Sequence, residues 1–173
     1  MKSIAIVTLA VALEEESGLT RFRTLAEMLS EKYHVDLITS SFHHWSKQHR
    51  DQKKTYAHDV PYRIILADEP GYKKNIDVRR IISNKFLARN ILKIIRMMHY
   101  DLIYCTIPDN YIAAQVSTYA KKNGIPVIVD IEDLWPEAME MISPFPDFVN
   151  KLIFWGMCRI GRWRRILLPL MWS

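Results

Sequence analysis

Glycine is scarce in this chain, with 5 in 173 residues. The dinucleotide fingerprint G-x-G-x-x-G and the phosphate loop G-x-x-x-x-G-K-[ST] are both absent, which excludes the two commonest self-contained nucleotide sites. Cysteine is scarcer still. Cys105 and Cys158 form neither a disulfide framework nor a metal-ligand spacing, and this usage points to a reducing compartment. No run of eighteen apolar residues is present, so no bilayer-spanning helix is expected. Glu14-Glu15-Glu16 follows the first apolar run too closely for a signal peptide. Repeats and low-complexity segments are also missing. Together these absences predict a cytoplasmic protein, at most peripheral on the inner face of the cell membrane.

Charge of one sign is missing from one end. Residues 1–150 carry all 19 acids and 19 of the 24 basic residues, so this stretch is neutral. Residues 151–173 hold Lys151, Arg159, Arg162, Arg164 and Arg165 and no acid. Trp155, Trp163 and Trp172 lie there too. A neutral body excludes a nucleic-acid binder built on bulk charge. Hydrophobic residues make up 49% and charged residues 25%, which excludes general disorder.

What is present reads as alternating strand and helix. Ile4–Thr8, Val35–Thr39, Tyr62–Leu66, Leu102–Thr106 and Val127–Asp130 are continuous apolar, β-branched runs, the mark of strands covered on both faces. Between them, 19–32, 77–99 and 110–123 show helical spacing. In the second, Ile81, Ala88, Ile91, Leu92, Ile95 and Met98 are expected on the buried side. Gly124 stops the third. The fold class predicted is α/β, a Rossmann-like, doubly wound parallel sheet. In such a sheet ligands bind beyond the carboxyl ends of the strands. Four loops follow as candidate sites.

The first loop ends in Ser17-Gly18, where a glycine lets backbone approach a ligand and the next helix offers free amides to a phosphate. Arg21 lies within reach of an anion there. Equally, Gly18 makes only a turn and Arg21 lies on a solvated face. The glutamates beside this loop must point away if it holds a phosphate. The second loop, Ser40–Arg50, carries His43 and His44. With no carboxylate or cysteine at ligand spacing, no metal is expected, and polar contact to a substrate or a plain loop remains. In the third, Thr106–Asn110, Asp109 is placed to cap a helix. The fourth is the richest in chemistry: Asp130-Ile131-Glu132-Asp133-Leu134-Trp135-Pro136-Glu137. Clustered carboxylates repel, raise a pKa and suit acid–base work; they also suit Mg²⁺, or Asp133 caps a helix while Trp135 fills the core.

These residues resemble those of the family 4 glycosyltransferases. Gly18-Leu-Thr-Arg21 through Leu29, followed by His34-Val-Asp-Leu-Ile-Thr39, is similar to that family's first helix and second strand. Ser40-Ser-Phe-His-His44 with Lys47 and Arg50, and Glu69-Pro-Gly-Tyr72-Lys-Lys-Asn75, resemble its capsule and O-antigen polysaccharide subgroup. Asp-Leu-Trp-Pro-Glu within Asp130–Glu137 is the most specific piece. The resemblance runs from residue 2 to about 142 and implies one lobe of a GT-B fold, the acceptor lobe. The donor would be a nucleotide-sugar, the acceptor lipid-linked or a saccharide, and transfer would retain configuration without a metal or other cofactor. Carried over, Gly18 and Arg21 face the cleft, with Ser17 where the family has a second glycine. Thr106, Asp109, Asn110, Glu132 and Asp133 line the acceptor side, with Glu132 and Asp133 as candidate catalytic groups. His43, His44 and Trp135 join them as substrate-binding candidates.

The family's donor lobe and its glutamate pair have no counterpart in these 173 residues, so little or no transferase activity is expected without a donor-lobe polypeptide. The domain reading is residues 1–147 as the lobe and 148–173 as a basic, tryptophan-rich tail. That tail reads as a linker remnant, an interfacial helix or a truncation product. Arg162, Trp163, Arg164 and Arg165 suit an anionic membrane surface, and so does the stripe Lys85, Arg89, Lys93, Arg96, whose alternative is a solvated face. Two other functions stay open: a non-catalytic membrane- or partner-binding module, and a Mg²⁺-dependent phosphohydrolase on Asp130, Glu132 and Asp133.

Overall fold

A computed structural model describes residues 1–9, 11–13, 16, 18–51, 56, 59–74, 77–107 and 110–131. The chain divides into two units, Met1–Asp130 and Ile131–Ser173. The elements are β1 (Ser3–Val7), α1 (Arg21–Ser30), β2 (His34–Ser40), β3 (Phe42–His43), β4 (Gln48–His49), β5 (Arg63–Ala67), α2 (Val78–Met98), β6 (Leu102–Ile107), α3 (Asn110–Lys122) and β7 (Val127–Ile131). Five strands form one sheet in the order β5-β2-β1-β6-β7. The pairs β1–β2, β1–β6 and β2–β5 are parallel, with Ile4 opposite both Val35 and Leu102. The predicted α/β doubly wound sheet is the observed one.

Alternation along each strand explains the two cores. In β1, Ala5 and Val7 turn to one face and Ile4 and Ile6 to the other. The first face packs Leu87, Ala88, Ile91 and Ile95 of α2 with Ile112, Ala113, Val116 and Ala120 of α3. The second packs Phe22 and Ala26 of α1, with Val11 and Leu13 from the loop after β1. Because both faces are covered, the strands need apolar residues at every position, which is why they read as continuous runs. Asp77 caps α2, accepting from the Arg79 amide at 3.0 Å. Gly124, at φ +66°, ends α3 as expected.

Two expectations need correction. The segment 42–49 is not a plain loop but an antiparallel hairpin, β3 with β4, pairing Phe42 with His49. In α2, Ile81 is 57% exposed and Met98 37% exposed, so neither belongs to the buried side. Ser83, Leu87, Ala88, Ile91 and Ile95 define that side instead.

Polar groups brace the amino end of the sheet. Arg63 grips Asp36 with two bonds, of 2.8 and 2.6 Å, and the Tyr100 hydroxyl donates to the same carboxylate at 2.5 Å. A cavity of about 440 Å³ lies beside them, lined in part by His34, Pro61 and Met98. It sits at the amino ends of β1, β2 and β5, away from the end where this architecture binds ligands.

Candidate functional site

The strand order turns at β1 and β6. These neighbours lead to connections on opposite faces, so the carboxyl ends of β1 and β6 are where this architecture places a ligand. Thr8 and Thr106 are the residues there. Each is buried, at 1% and 3% exposure, and neither hydroxyl has a hydrogen-bond partner among the described residues. A buried hydroxyl without a partner is unfavourable by about 1–3 kcal/mol. Two of them at adjacent strand ends make this the candidate place for a polar ligand group.

The loop after β1 and the hairpin after β2 are joined by a buried cation. Arg50, nearly fully buried, donates through Nε and Nη2 to the two oxygens of Glu16, at 2.8 and 2.7 Å. It also donates to the carbonyls of Ser40 at 2.7 Å and Val11 at 2.8 Å. The Leu13 amide adds a bond to Glu16 at 2.8 Å. Burial alone raises the Glu16 pKa, but the Arg50 and Leu13 hydrogen bonds and the charges of Arg50 and His43 outweigh it, so the net shift is downward. Thus Glu16 turns inward, toward the hairpin, and is a structural anion.

His43 sits against this pair, its Nε2 3.8 Å from Glu16 Oε2. Its Nδ1 bonds the Ser46 hydroxyl at 2.8 Å. Its Nε2 is, like the two hydroxyls, a buried polar atom without a hydrogen-bond partner among the described residues. Burial lowers its pKa, Glu16 raises it and Arg50 lowers it, with a net downward shift. At neutral pH His43 is therefore an uncharged imidazole able to exchange hydrogen bonds with a hydroxyl.

His44 has another neighbourhood. Its Nδ1 lies 2.5 Å from the Tyr72 hydroxyl. Burial, then Lys47, Arg80 and His43, push its pKa down to about 4. Lys47 Nζ stands 4.8 Å from the Tyr72 ring centre and the Arg80 guanidinium 5.7 Å from it. Tyr72 packs on Phe42, and Gly71 makes room: a Cβ there would stand 2.7 Å from the Phe42 ring, at φ +77°. Beneath, buried Glu69 accepts the hydroxyls of Ser40 and Ser83.

Gly18 is tightly packed. With φ +143°, a Cβ would lie 3.3 Å from Ala12 Cβ and 3.4 Å from the Trp45 ring. The positive φ favours glycine there, and the close approach of Ala12 and Trp45 leaves little room for a side chain. Arg21 opens α1, and its Nη2 lies 2.5 Å from Asp130 Oδ2, which also accepts from the Tyr104 hydroxyl at 2.6 Å. Asp130 is therefore bound by a cation and a phenol.

The other predicted residues are placed unevenly. Asn110 starts α3. Ser17, Asp109, Glu132, Asp133, Trp135, Arg162, Trp163, Arg164 and Arg165 lie outside the described residues. Lys85, Arg89, Lys93 and Arg96 lie along the outer face of α2, apart from these strand ends; Arg96 also covers the Tyr119 ring at 5.4 Å. Sequence reasoning missed Glu16 as an inward anion and the bracing role of Arg50. The one signal was an arginine six residues past His44, at the end of the loop after the second strand. Among the described residues no group of three or more His, Cys, Asp or Glu is arranged to hold a metal.

Comparison with solved structures agrees with this geometry. The C-terminal domain of a hydrogenase from Pyrococcus furiosus matches at TM-score 0.50 and 16% identity, over 75% of this chain and 91% of that one. Sucrose-phosphate synthase from Thermosynechococcus elongatus matches at TM-score 0.54 and 16% identity, over 78% of this chain. The fold is that of a Rossmann-like lobe. The lobe spans 34% of the sucrose-phosphate synthase chain. The glycotransferase of kitacinnamycin, at TM-score 0.44 and 12% identity, is more distant. No protein-family model and no curated protein sequence matches the chain. One fold carrying a hydrogenase domain and a sugar-phosphate enzyme shows why function must be argued from the site.

Proposed function

We propose that this chain is the acceptor-binding lobe of a GT-B glycosyltransferase of surface-polysaccharide synthesis. It takes a lipid-linked saccharide at the carboxyl end of its sheet and works with a donor lobe that supplies the nucleotide-sugar. The observation that carries this reading is the pair of buried hydroxyls, Thr8 and Thr106, without a partner among the described residues at the switch between β1 and β6. A sugar is dense in hydroxyls that both donate and accept, and so satisfies such groups better than an apolar ligand does. Neutral His43 offers a third polar contact in the adjoining loops. Arg21, more than half exposed, supplies positive charge at the mouth. The resemblance of Asp-Leu-Trp-Pro-Glu to the polysaccharide subgroup and the fold likeness to sucrose-phosphate synthase both support the reading.

In this account the lobe contributes binding and orientation. Transfer requires the donor held against the acceptor with water excluded, and a single lobe provides neither. Glu132 and Asp133 remain the candidate catalytic groups. The protein would sit at the cytoplasmic face of the membrane, where lipid-linked acceptors are displayed; among the described residues no helix is long and apolar enough to cross it. The test is acceptor binding by calorimetry, using a short-chain polyprenyl-diphosphate sugar in detergent. Thr8→Val and Thr106→Val together are expected to weaken binding about tenfold or more, because the sugar's hydroxyls then face methyl groups. Equal affinity in the double variant and the parent refutes the site.

A further inference from the structure

The outer face of α2 changes character along its length. At 100° per residue, Val78, Ile81, Ile82, Lys85, Phe86, Arg89, Lys93 and Arg96 share one side of the helix. The first half of that side is apolar and uncovered: Val78 is 69% exposed, Ile81 57%, Ile82 47% and Phe86 50%. The second half is basic, with Arg89, Lys93 and Arg96 exposed in successive turns. Lys73 and Lys74 are exposed just before the helix. Between Val78 and Met98 there are six basic residues and no acid. The apolar side chains occupy about 12 Å of helix axis, and the basic ones continue it by roughly 15 Å.

We propose that α2 docks this protein on an anionic bilayer, its amino-terminal half entering the interface while its carboxyl half rides over the headgroups. The inference rests on the acceptor reading only in that a lipid-linked acceptor makes a membrane the natural surface. Charge selects the occupant: a face with four cations, Lys85, Arg89, Lys93 and Arg96, and no acid complements a surface of phosphate esters. Four large apolar groups are ill suited to water or to a purely ionic partner but fit the boundary between headgroups and acyl chains. Their placement at one end implies a tilted entry, with Lys85 and Arg89 extending their stems along the apolar side and their charges toward phosphate.

The test is co-sedimentation of the whole chain with vesicles of phosphatidylcholine containing about one third phosphatidylglycerol, and with vesicles of phosphatidylcholine alone. The parent is expected to bind the anionic vesicles at least about tenfold more tightly, with affinity falling as salt rises. Ile81→Ser, Ile82→Ser and Phe86→Ser combined should weaken binding about tenfold while leaving the thermal midpoint near the parent's, since these side chains are already solvated. Arg89→Glu with Lys93→Glu should remove the preference for anionic lipid. Three results overturn the proposal: no binding by the parent, undiminished binding by the serine variant (as when residues 151–173 alone hold the membrane), or self-association that the serine changes abolish without affecting lipid. These vesicles carry no saccharide lipid, so failure here leaves the acceptor reading to its own test in detergent.

Discussion

Arg50→Met should destabilise the protein by about 3–5 kcal/mol, the range for removing one partner of a buried ion pair. The size follows from what Arg50 holds. Its side chain is 2% exposed, so methionine of similar length keeps most of the packing. It leaves both oxygens of Glu16 without their bidentate donor, and the carbonyls of Val11 and Ser40 without theirs. Among the described residues Glu16 then keeps only the Leu13 amide at hydrogen-bond distance. For a chain of this size the loss corresponds to a fall in thermal midpoint on the order of 10 °C. The assay is urea and thermal unfolding followed by circular dichroism, at pH 7 and near pH 4. The pH arm has a definite sign. The folded pKa of Glu16 lies below its unfolded value, so its contribution is present above the unfolded pKa and fades as pH falls through the folded one. The parent should therefore lose stability in acid, and Glu16→Gln should remove part of that dependence. An Arg50→Met variant melting within about 2 °C of the parent would refute the idea that this pair ties the loop after β1 to the hairpin.

Other outcomes follow from the same geometry. Gly71→Ala should destabilise by about 2 kcal/mol, because φ is +77° and the new methyl meets the Phe42 ring at 2.7 Å; chemical denaturation reads it directly. His44, with a pKa of about 4, should stay neutral through the ordinary histidine range in an NMR titration. Its folded pKa lies below its unfolded one, so its contribution is complete above pH 6.5 and is lost as pH falls toward 4. Tyr100→Phe should cost about 1.5 kcal/mol, since its hydroxyl donates to the Asp36 carboxylate. Burial and that carboxylate push the Tyr100 pKa up, so spectrophotometric titration should show one tyrosine that ionises only on unfolding. Arg21→Ala should leave stability within about 1 kcal/mol, as the arginine side chain is 58% exposed and Asp130 keeps the Tyr104 hydroxyl, yet weaken acceptor binding measured by calorimetry.

The layered fold was legible because covered strands demand unbroken apolar runs, and β1, β2, β5, β6 and β7 all lie within a residue or two of the predicted segments. The hairpin was not legible. Two-residue strands such as Phe42–His43 carry no period, and their pairing is set by the turn and by Arg50 beneath. Ile81 was placed on the wrong side of α2 because spacing alone does not say where packing stops. Ser83, small enough to pack and to bond Glu69, takes the buried position that an apolar count assigns to a larger residue. At the site, Gly18 and Arg21 were found by their place at a strand-to-helix turn. Their local partners, Trp45 and Asp130, lie 27 and 109 positions away, a distance no local pattern bridges. The inward turn of Glu16 was equally hidden: in sequence it is the last of three glutamates, and only buried Arg50 singles it out.

The central claim is that a saccharide acceptor binds at the carboxyl ends of β1 and β6. Backbone amide NMR of the chain, titrated with a short-chain polyprenyl-diphosphate sugar, tests it most directly. The account predicts saturable shifts at Thr8, Gly18, His43 and Thr106. Shifts confined to His34, Arg63 and Tyr100, around the cavity at the opposite end of the sheet, or no saturable shifts at all, would contradict it.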